Sequence, residues 1–392
     1  MLIGLVGKPN VGKSTFFKAA TMVDVLIANY PFATIKPNHG VSYVRVECIE
    51  KFFNVKCNPR EGYCIDGNRF IPVELMDVAG LVPGASEGKG LGNQFLNDLT
   101  TADAFIHIVD VSGTTDVEGK QTESHDVTID IKFLDDELDK WYFGILKKAW
   151  RVFTKKIMAE NVDFSDSVAA QFSGLKVSRD SVQETIKKTE LDTKKAYQWS
   201  ETELLEFASV LRKISKPMII AANKIDLPKG KENYEKLRKE FDYTIVPCSA
   251  ESELALKEAD KKKLIKYISG DPDFKVFNEL SEKQKKALDF IKSGVLNNLN
   301  STGVQEILNK TVFDVLKYIA IFPAGAKLKD SKGNILPDCF LLPKNTTALD
   351  FAYHLHTDIG KNFVKAINAK TKQAVGKNHV LKNGDAIEIM TR

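Results

Sequence analysis

Short apolar runs recur along the first 250 residues of this 392-residue chain, each followed by a polar or glycine-rich segment. Runs of four to eight residues with turn residues behind them are typical of buried strands, and continuous apolar character favours strands covered on both faces. The pattern therefore predicts an α/β fold in which helices flank a mostly parallel sheet. The runs that we interpret as strands are 1–6, 73–77, 104–110, 217–222 and the residues just before Val246.

A long segment separates two of these strands. Asp110 and Asn223 lie 113 residues apart, whereas a strand–helix–strand unit needs only about 30. From Val127 to Phe153 apolar residues recur at three- and four-residue spacing, and a second helical stretch runs near 178–195. We predict a helical, coiled-coil-like insertion that forms an antiparallel hairpin, inside a domain that becomes helical again after residue 251. The predicted boundaries are 114–198 for the insertion and 1–113 with 199–318 for the domain.

The C-terminal segment, from residue 319 to 392, differs in charge and pattern. Residues 320–392 hold ten Lys and one Arg against six acidic residues, a net charge of +5, whereas the whole chain carries +4. Apolar runs near 319–322, 339–342 and 386–389 surround a helical stretch, which predicts a small β-grasp domain. Its basic surface is compatible with phosphate contacts to RNA. The alternative is a protein-docking domain whose lysines only confer solubility.

Composition narrows the class of protein. A hydrophobic content of 43% and a charged content of 28% are typical of soluble globular chains, and no apolar stretch approaches the ~18 residues of a membrane span. The five cysteines include no C-x-x-C pair. Cys57 and Cys64 could bridge a hairpin or share a metal, but unpaired thiols are the expected state in a reducing compartment. We therefore expect a cytoplasmic protein without membrane contacts, of unknown oligomeric state.

Residues 7–15 read GKPNVGKST directly after the first apolar run, which is the G-x-x-x-x-G-K-[ST] phosphate-binding loop. Gly7 and Gly12 permit the backbone conformations and close approach that a phosphate cradle needs. Lys13 can reach the β- and γ-phosphates, and the Ser14 hydroxyl can ligate Mg²⁺. The pattern predicts a nucleoside triphosphate site. Its predicted contact residues in this loop are Gly7, Asn10, Val11, Gly12, Lys13, Ser14 and Thr15.

The base is predicted from a second motif, Asn223-Lys224-Ile225-Asp226, at the end of a buried strand. The Asp226 carboxylate can accept hydrogen bonds from guanine N1–H and N2–H₂, a donor pair that adenine lacks. Asn223 is expected to brace the loops and contact N7, and the Lys224 stem to lie over the base. Ser249 and Ala250 belong to the last base-contacting loop, where the Ala250 N–H is expected to meet the guanine oxygen.

Two further segments are predicted to sense the γ-phosphate. Asp77 ends a strand and can hold Mg²⁺ through water, and the Gly80 N–H can contact the γ-phosphate. Upstream, Thr34 is expected to be the second hydroxyl ligand of Mg²⁺ beside Ser14. Lys13, Thr34 and Gly80 are therefore the candidate catalytic residues, and Ser14, Thr34 and Asp77 the candidate metal ligands. Loss of the γ-phosphate would release both segments, as in an order-to-disorder switch.

These motifs resemble a known family. The runs NYPFATIKPNHG (29–40) and DVAGLVPGASEGKGLGNQFL (77–96) are similar to the Obg-like GTPases, especially the archaeal form of their YchF-like branch. Residues 342–352 and 381–389 resemble a TGS domain, which implies contact with RNA or the ribosome. Many YchF-like proteins have a degraded base motif and prefer ATP, whereas 223–226 is intact here. The resemblance and the motif together indicate a GTP- and GDP-binding protein.

The residue after Gly80 bears on hydrolysis. Ras-type enzymes place a Gln there to orient water, whereas this chain has Leu81, as the resembled family does. Slow turnover is therefore expected, accelerated by a partner, a cation or another polar residue. Asn10 corresponds to a position that accompanies K⁺ binding in some related GTPases, so K⁺ is a candidate activator. Polar candidates in the same loop are Glu87, Asn93 and Gln94.

Two other functions stay open at this point. The chain could be an RNA- or ribosome-binding module for which GTP is an affinity ligand, or an ATPase if Asp226 does not contact the base. The sequence favours a Mg²⁺-dependent GTPase switch that acts on ribosomes, RNA or another translation-related partner.

Overall fold

A seven-stranded sheet is the centre of the N-terminal part in the computed structural model, which describes residues 1–22, 38–78, 80, 99–325, 328–330 and 332–392. Along the described chain its strands are β1 (Leu2–Val6), β2 (His39–Glu47), β3 (Tyr63–Ile65), β4 (Asn68–Asp77), β5 (Ala104–Asp110), β6 (Met218–Asn223) and β7 (Ile245–Cys248). The order is β2-β4-β1-β5-β6-β7, with β3 paired to β4. β4, β1, β5, β6 and β7 are mutually parallel, and β2 and β3 run antiparallel to β4.

Helices cover both faces of this sheet, which explains why its central strands are apolar throughout. β5 and β6 are buried along their whole length. One face packs against α1 (Lys13–Thr21), as Phe16 and Ala20 join the sheet residues in one core. The other face is covered by helices that follow β5 and β6.

The connection between β5 and β6 is helical. It contains α3 (Thr128–Glu160), α4 (Phe164–Gln171), α5 (Arg179–Thr189) and α6 (Glu201–Ser215). The short helix α2 (Glu50–Phe53) precedes it, between β2 and β3. Trp150 of α3 stacks on Trp199 with ring centroids 5.4 Å apart and also contacts Phe207 of α6. The aromatic residues of the amphipathic stripe therefore pack among the helices of this segment.

The residues after β6 continue the alternation of strands and helices and then depart from a purely helical pattern. They form α7 (Gly230–Glu240), α8 (Ala250–Lys261), a hairpin of β8 (Ile265–Lys266) and β9 (Lys275–Val276), α9 (Glu282–Ile291), α10 (Asn297–Leu299) and α11 (Val304–Lys310). The hairpin interrupts the helical stretch that the sequence predicts after residue 251. Lys263 adopts a positive φ of 57° just before β8, which ends the helical conformation there.

The C-terminal part contains a second sheet. Within the described residues its five strands are ordered β11-β10-β14-β12-β13, with β10 and β14 parallel. Its elements are β10 (Tyr318–Pro323), β11 (Phe340–Pro343), α12 (Ala348–Leu355), α13 (Thr357–Lys361), β12 (Phe363–Asn368), β13 (Gln373–Val375) and β14 (Ala386–Thr391). The predicted fold class, a GTPase-type α/β domain with a helical insertion and a β-grasp domain, is confirmed. In the described part of the chain no helix has the length and apolar character needed to cross a bilayer.

Candidate nucleotide-binding site

The carboxyl ends of the parallel strands bring the motifs together at one edge of the sheet. The register places Leu5 beside Asp77 and Asp110 beside Asn223, and Asn223 in turn beside Cys248. Ligands of open α/β sheets bind at this edge. Segments that are more than 200 residues apart in sequence therefore meet around the loop between β1 and α1.

The phosphate-binding loop closes directly onto the start of α1. Gly12 has a left-handed φ of 95° and precedes the first helical residue, and its carbonyl accepts from Phe16 N at 2.9 Å. A Cβ at Gly12 would collide with Asn223 Nδ2, so only glycine fits here. Gly7 and Val11 are buried, whereas Ser14 is exposed and Thr15 is half-buried in the first helical turn. The N-terminal N–H groups of α1 form an anion site.

Lys13 lies under this loop. Its Nζ donates to the carbonyl oxygens of Gly7 and Lys8 at 3.0 and 2.7 Å, and the residue is only 7% exposed. Burial lowers the pKa of Lys13 to about 8, against the opposing influence of the Asp77 charge. A phosphate group beside Lys13 would favour the protonated form.

Ser14 and Asp77 form a pair that suits a hard divalent cation. The Ser14 hydroxyl donates to Asp77 Oδ2 at 2.9 Å. Burial raises the pKa of the half-buried Asp77 carboxyl, although Ser14 and Lys13 both stabilise its charged form. Hydroxyl and carboxylate oxygens are the protein ligands that Mg²⁺ prefers, so this donor set fits Mg²⁺. Thr34, the third predicted ligand, lies outside the described residues.

Gly80 approaches the phosphate-binding loop from the end of β4. A Cβ at this position would lie 2.8 Å from Pro9 N, so the close approach requires glycine. The structure thus places Gly80 beside the loop, and its contact with a γ-phosphate stays a prediction. Leu81 and the polar candidates Glu87, Asn93 and Gln94 lie outside the described residues.

Asn223 joins the phosphate-binding loop to the loop after β7. Its Nδ2 donates to Val11 O at 2.9 Å, and its Oδ1 accepts from Ala250 N at 3.0 Å. The bracing part of the predicted role is therefore visible in the geometry. The Ala250 N–H, which was expected to meet the guanine oxygen, donates to Asn223 Oδ1 in this structure. The reason is that this N–H is buried and Asn223 Oδ1 satisfies it.

Lys224 crosses from the base motif to the phosphate-binding loop. Its Nζ donates to Asn10 O at 3.1 Å and pairs with Asp110 Oδ2 at 2.7 Å. Although burial opposes it, hydrogen bonds from Lys224 and Ser112 lower the pKa of Asp110 below its ordinary value. Asp110 is an anchor that sequence reasoning missed. Its signal was its place at the end of a buried strand, like Asp77 and Asn223.

The remaining base-motif residues occupy the same edge. Asp226 is half-buried. Burial, and to a smaller extent the charge of Asp226, raises the pKa of the neighbouring Cys248 thiol. Ser249 is buried and caps α8, because its side chain accepts from Ser252 N at 3.3 Å. Asp226, Ser249 and Ala250 thus surround the end of the β6–β7 pair.

Residues after β5 also hold the phosphate-binding loop in place, and the sequence did not predict these contacts. The Asn10 Nδ2 donates to Gly119 O at 2.9 Å, so residues after β5 lie over the phosphate-binding loop. Lys8 Nζ donates to Thr115 O at 2.7 Å and forms an ion pair with Asp130 Oδ2 at 2.8 Å. A lysine at this motif position gives no sequence signal of its own, because its partner lies more than 100 residues away.

Comparisons with known proteins identify the family of the chain. Three family profiles match the chain: a 50S ribosome-binding GTPase (residues 2–155), an Obg-like GTPase YGR210-like, G4 motif-containing domain (221–325) and a TGS domain (319–391). A GTP-binding protein of Methanocaldococcus jannaschii is 48% identical over 100% of this chain and 99% of its own.

Two further relatives extend the comparison. The crystal structure of a GTP-binding protein from Pyrococcus horikoshii superposes with a TM-score of 0.81 at 38% identity, over 100% of both chains. A Buchnera aphidicola protein named ribosome-binding ATPase YchF is 26% identical over 99% of this chain and 98% of its own. The chain belongs to the Obg-like P-loop GTPases of the YchF-related group and carries a C-terminal TGS domain.

Proposed function

We propose that the chain binds Mg²⁺ and GTP, hydrolyses GTP slowly, and uses the two nucleotide states as a switch toward the ribosome or RNA. The observation that carries the proposal is the Asn223–Lys224 brace. Asn223 holds Val11 and Ala250, and Lys224 holds Asn10, so the base motif and the phosphate-binding loop form one connected site. Such a site suits a ligand that has a base at one end and phosphates at the other.

Guanine is the base that this arrangement favours. The Asp226 carboxylate at the end of β6 offers acceptors only, and guanine presents two donors on the matching edge. Adenine would leave the carboxylate unpaired, at a cost of several kcal/mol. The relative from M. jannaschii is named a GTP-binding protein, whereas the more distant YchF relative is named an ATPase. The intact Asp226 supports GTP for this chain.

Each residue of the phosphate site has a distinct task. Lys13 and the N–H groups at the start of α1 bind the β- and γ-phosphates, and the Gly80 N–H contacts the γ-phosphate. Ser14, Asp77 and Thr34 are the residues that would hold Mg²⁺. The ion would supply charge neutralisation at the phosphate oxygens. Thr34 and Gly80 lie on the two segments that would respond to loss of the γ-phosphate.

Turnover should be slow without an activator, because Leu81 offers no hydrogen bond to a water molecule. K⁺ is one candidate activator. Since Asn10 Nδ2 donates to Gly119 O, its Oδ1 is the side-chain atom that would face a monovalent cation beside the phosphates. A cation there would stabilise charge that develops in the transition state.

The C-terminal domain supports a ribosome or RNA partner. Lys365, Lys372, Lys377 and Lys382 are exposed on or beside β12–β14, and residues 320–392 carry a net charge of +5. Exposed lysines on one small domain suit contacts with phosphate groups. The name of the Buchnera relative, a ribosome-binding ATPase, points to the same class of partner.

The test is steady-state hydrolysis of GTP and ATP in Na⁺ and K⁺ buffers, with and without purified ribosomes. The proposal expects low GTP turnover in Na⁺ and a clear increase with ribosomes, with K⁺ or with both. Preferential hydrolysis of ATP would contradict the assignment of guanine as the base that the site recognises. Tight GTP binding with no turnover under any of these conditions would show that GTP is an affinity ligand and would contradict the hydrolytic switch.

A further inference from the structure

Three cysteines and a glutamate converge outside the nucleotide site. Cys48 follows β2, Glu50 is the first residue of α2, Cys57 lies in the next loop and Cys64 is in β3. One donor atom from each residue lies within 4.8 Å of every other. Cys48 and Cys57 are buried, whereas Glu50 and Cys64 are half-buried. Among the described residues no other group of this kind was found.

The sulfur geometry matches a shared ion better than a disulfide. Cys48 Sγ and Cys57 Sγ are 3.7 Å apart, and Cys64 Sγ lies 3.4 Å from Glu50 Oε1. A disulfide requires an S–S distance of about 2.05 Å. A tetrahedral zinc ion with Zn–S bonds of about 2.3 Å separates its thiolates by roughly 3.8 Å. The observed Cys48–Cys57 separation is therefore close to the edge of such a tetrahedron.

The surrounding backbone holds the four side chains in place. Cys48 N donates to Gly67 O at 2.9 Å, which fixes the end of β2 against the turn after β3. Glu50 Oε2 accepts from Cys57 N at 2.8 Å, so Oε1 is directed to the sulfur atoms. Val55 N donates to Glu50 O at 3.0 Å and closes the loop between the first two cysteines. The donors are thus set by a hydrogen-bonded frame.

We propose that Cys48, Cys57, Cys64 and Glu50 form a structural zinc site. Three thiolates and one carboxylate complete a four-coordinate shell with no open position, as in structural rather than catalytic zinc sites. Thiolates exclude Mg²⁺ and Ca²⁺, which prefer oxygen ligands, and the carboxylate disfavours Cu⁺. Donor atoms this close surround a single ion, whereas an iron–sulfur cluster would hold its thiolates farther apart.

The site lies where the C-terminal domain docks. Cys48 and Cys57 share a core with Phe322, Leu336 and Ala386 of that domain. Just beyond Cys57, Asn58 N donates to Ile335 O at 2.8 Å and Arg60 N donates to Pro337 O at 2.9 Å. A zinc ion would fix the loop that carries these contacts. It would therefore stabilise the orientation of the C-terminal domain relative to the nucleotide site.

The test is the metal content of the full-length protein, purified in reducing buffer without chelators and measured by inductively coupled plasma mass spectrometry. We expect about one zinc ion per chain, as a closed four-ligand site binds one ion. The double variant Cys57→Ser/Cys64→Ser should lose it. The matched control is Cys339→Ser, which removes a thiol from the same core but not from the cluster.

A second readout decides the matter if the double variant fails to fold. Wild-type protein stripped of metal and refilled with Co²⁺ should show thiolate-to-cobalt charge-transfer absorption and the intense visible bands of a tetrahedral ion. Zinc-free protein that takes up neither Zn²⁺ nor Co²⁺ would overturn the proposal. A Cys48–Cys57 disulfide that persists in protein purified in reducing buffer would overturn it as well. Zinc retained by the double variant would have the same consequence.

Discussion

Lys8 and Asp130 form a buried ion pair that connects the phosphate-binding loop to the first turn of α3. Lys8 Nζ lies 2.8 Å from Asp130 Oδ2, and the two side chains are only 1% and 2% exposed. His125 Nε2 approaches the other carboxylate oxygen at 2.8 Å. Because α3 is the first helix of the segment between β5 and β6, this pair joins the nucleotide site to the helical segment directly.

Replacement of Lys8 by Met should destabilise the protein. The change leaves the Asp130 carboxylate buried with His125 alone, and removal of one partner from a buried pair costs about 3–5 kcal/mol. The measurement is the midpoint of urea unfolding followed by circular dichroism. Lys120→Met is the control, since Lys120 is 73% exposed in its pair with Glu118. A Lys8→Met midpoint equal to that of the control would contradict the structural role of the pair.

Nucleotide affinity should depend on pH through Lys13. Burial lowers the pKa of Lys13 to about 8 in the nucleotide-free protein, and the phosphates bind the protonated amine. Below that pKa the ammonium is present and affinity is full. Above it a proton must be taken up on binding, so Kd should rise by up to about tenfold per pH unit.

The measurement is GTP affinity by isothermal titration calorimetry between about pH 7 and pH 8.5, in buffers of different ionisation enthalpy to detect proton uptake. Lys13→Arg is the control, because a guanidinium stays protonated throughout this range. Its affinity should be weaker but insensitive to pH. A wild-type Kd that does not change over the range, with no proton uptake, would show that Lys13 is not the titrating group.

Removal of the Ser14 hydroxyl should weaken the response to Mg²⁺. Ser14→Ala deletes one of the oxygen ligands beside Asp77, and a loss of about 1.4 kcal/mol corresponds to tenfold weaker binding. The Mg²⁺ concentration at half-maximal GTP binding should therefore increase about tenfold or more, whereas affinity in EDTA should change little. Thr21→Ala, a hydroxyl deletion at the other end of α1, should behave like wild type. If GTP binding depended on Mg²⁺ concentration identically in all three proteins, Ser14 would not be a Mg²⁺ ligand.

Arg212 should be essential for the packing of α6 on α3. Its guanidinium is fully buried and donates to Asp139 Oδ1 at 2.7 Å and Asp135 Oδ1 at 3.0 Å. Arg212→Leu leaves both carboxylates without this partner, so we expect a loss of about 3–5 kcal/mol in unfolding free energy. Lys147→Ala breaks the exposed pair with Glu201 and should cost at most about 1 kcal/mol. Equal thermal denaturation midpoints for the two variants would contradict this assignment.

The parallel strands of the first sheet and the nucleotide motifs could be predicted because their signals are local, whereas the antiparallel strands β2 and β3 were not predicted. Strands β1, β5 and β6 are predominantly apolar runs, and the phosphate-binding loop and base motif are short patterns with fixed spacing. β12 and β13 were not predicted. β12 has exposed residues, such as Val364 and Lys365, on a half-covered sheet, and β13 is only three residues long, so neither produces an apolar run.

The contacts that could not be predicted join distant parts of the chain. Lys8 with Asp130 and Lys224 with Asp110 depend on tertiary packing, and a charged residue alone does not reveal its partner. The full cysteine cluster could not be predicted for the same reason. The sequence left open a shared metal for Cys57 and Cys64, but only the fold of α2 brings Cys48 and Glu50 to them. The domain boundaries and the roles of Thr34 and Leu81 stay predictions.

Base selectivity tests the central claim most directly. The measurement is the dissociation constant of GTP, ATP and xanthosine triphosphate for the wild type and for Asp226→Asn, in Mg²⁺ and K⁺ buffer. We expect the wild type to prefer GTP over ATP by about 10²-fold or more, because only guanine pairs both carboxylate oxygens. Asp226→Asn should lose affinity for GTP and gain it for xanthosine triphosphate, whose second carbonyl accepts from the new amide. Equal or tighter binding of ATP by the wild type would contradict the account.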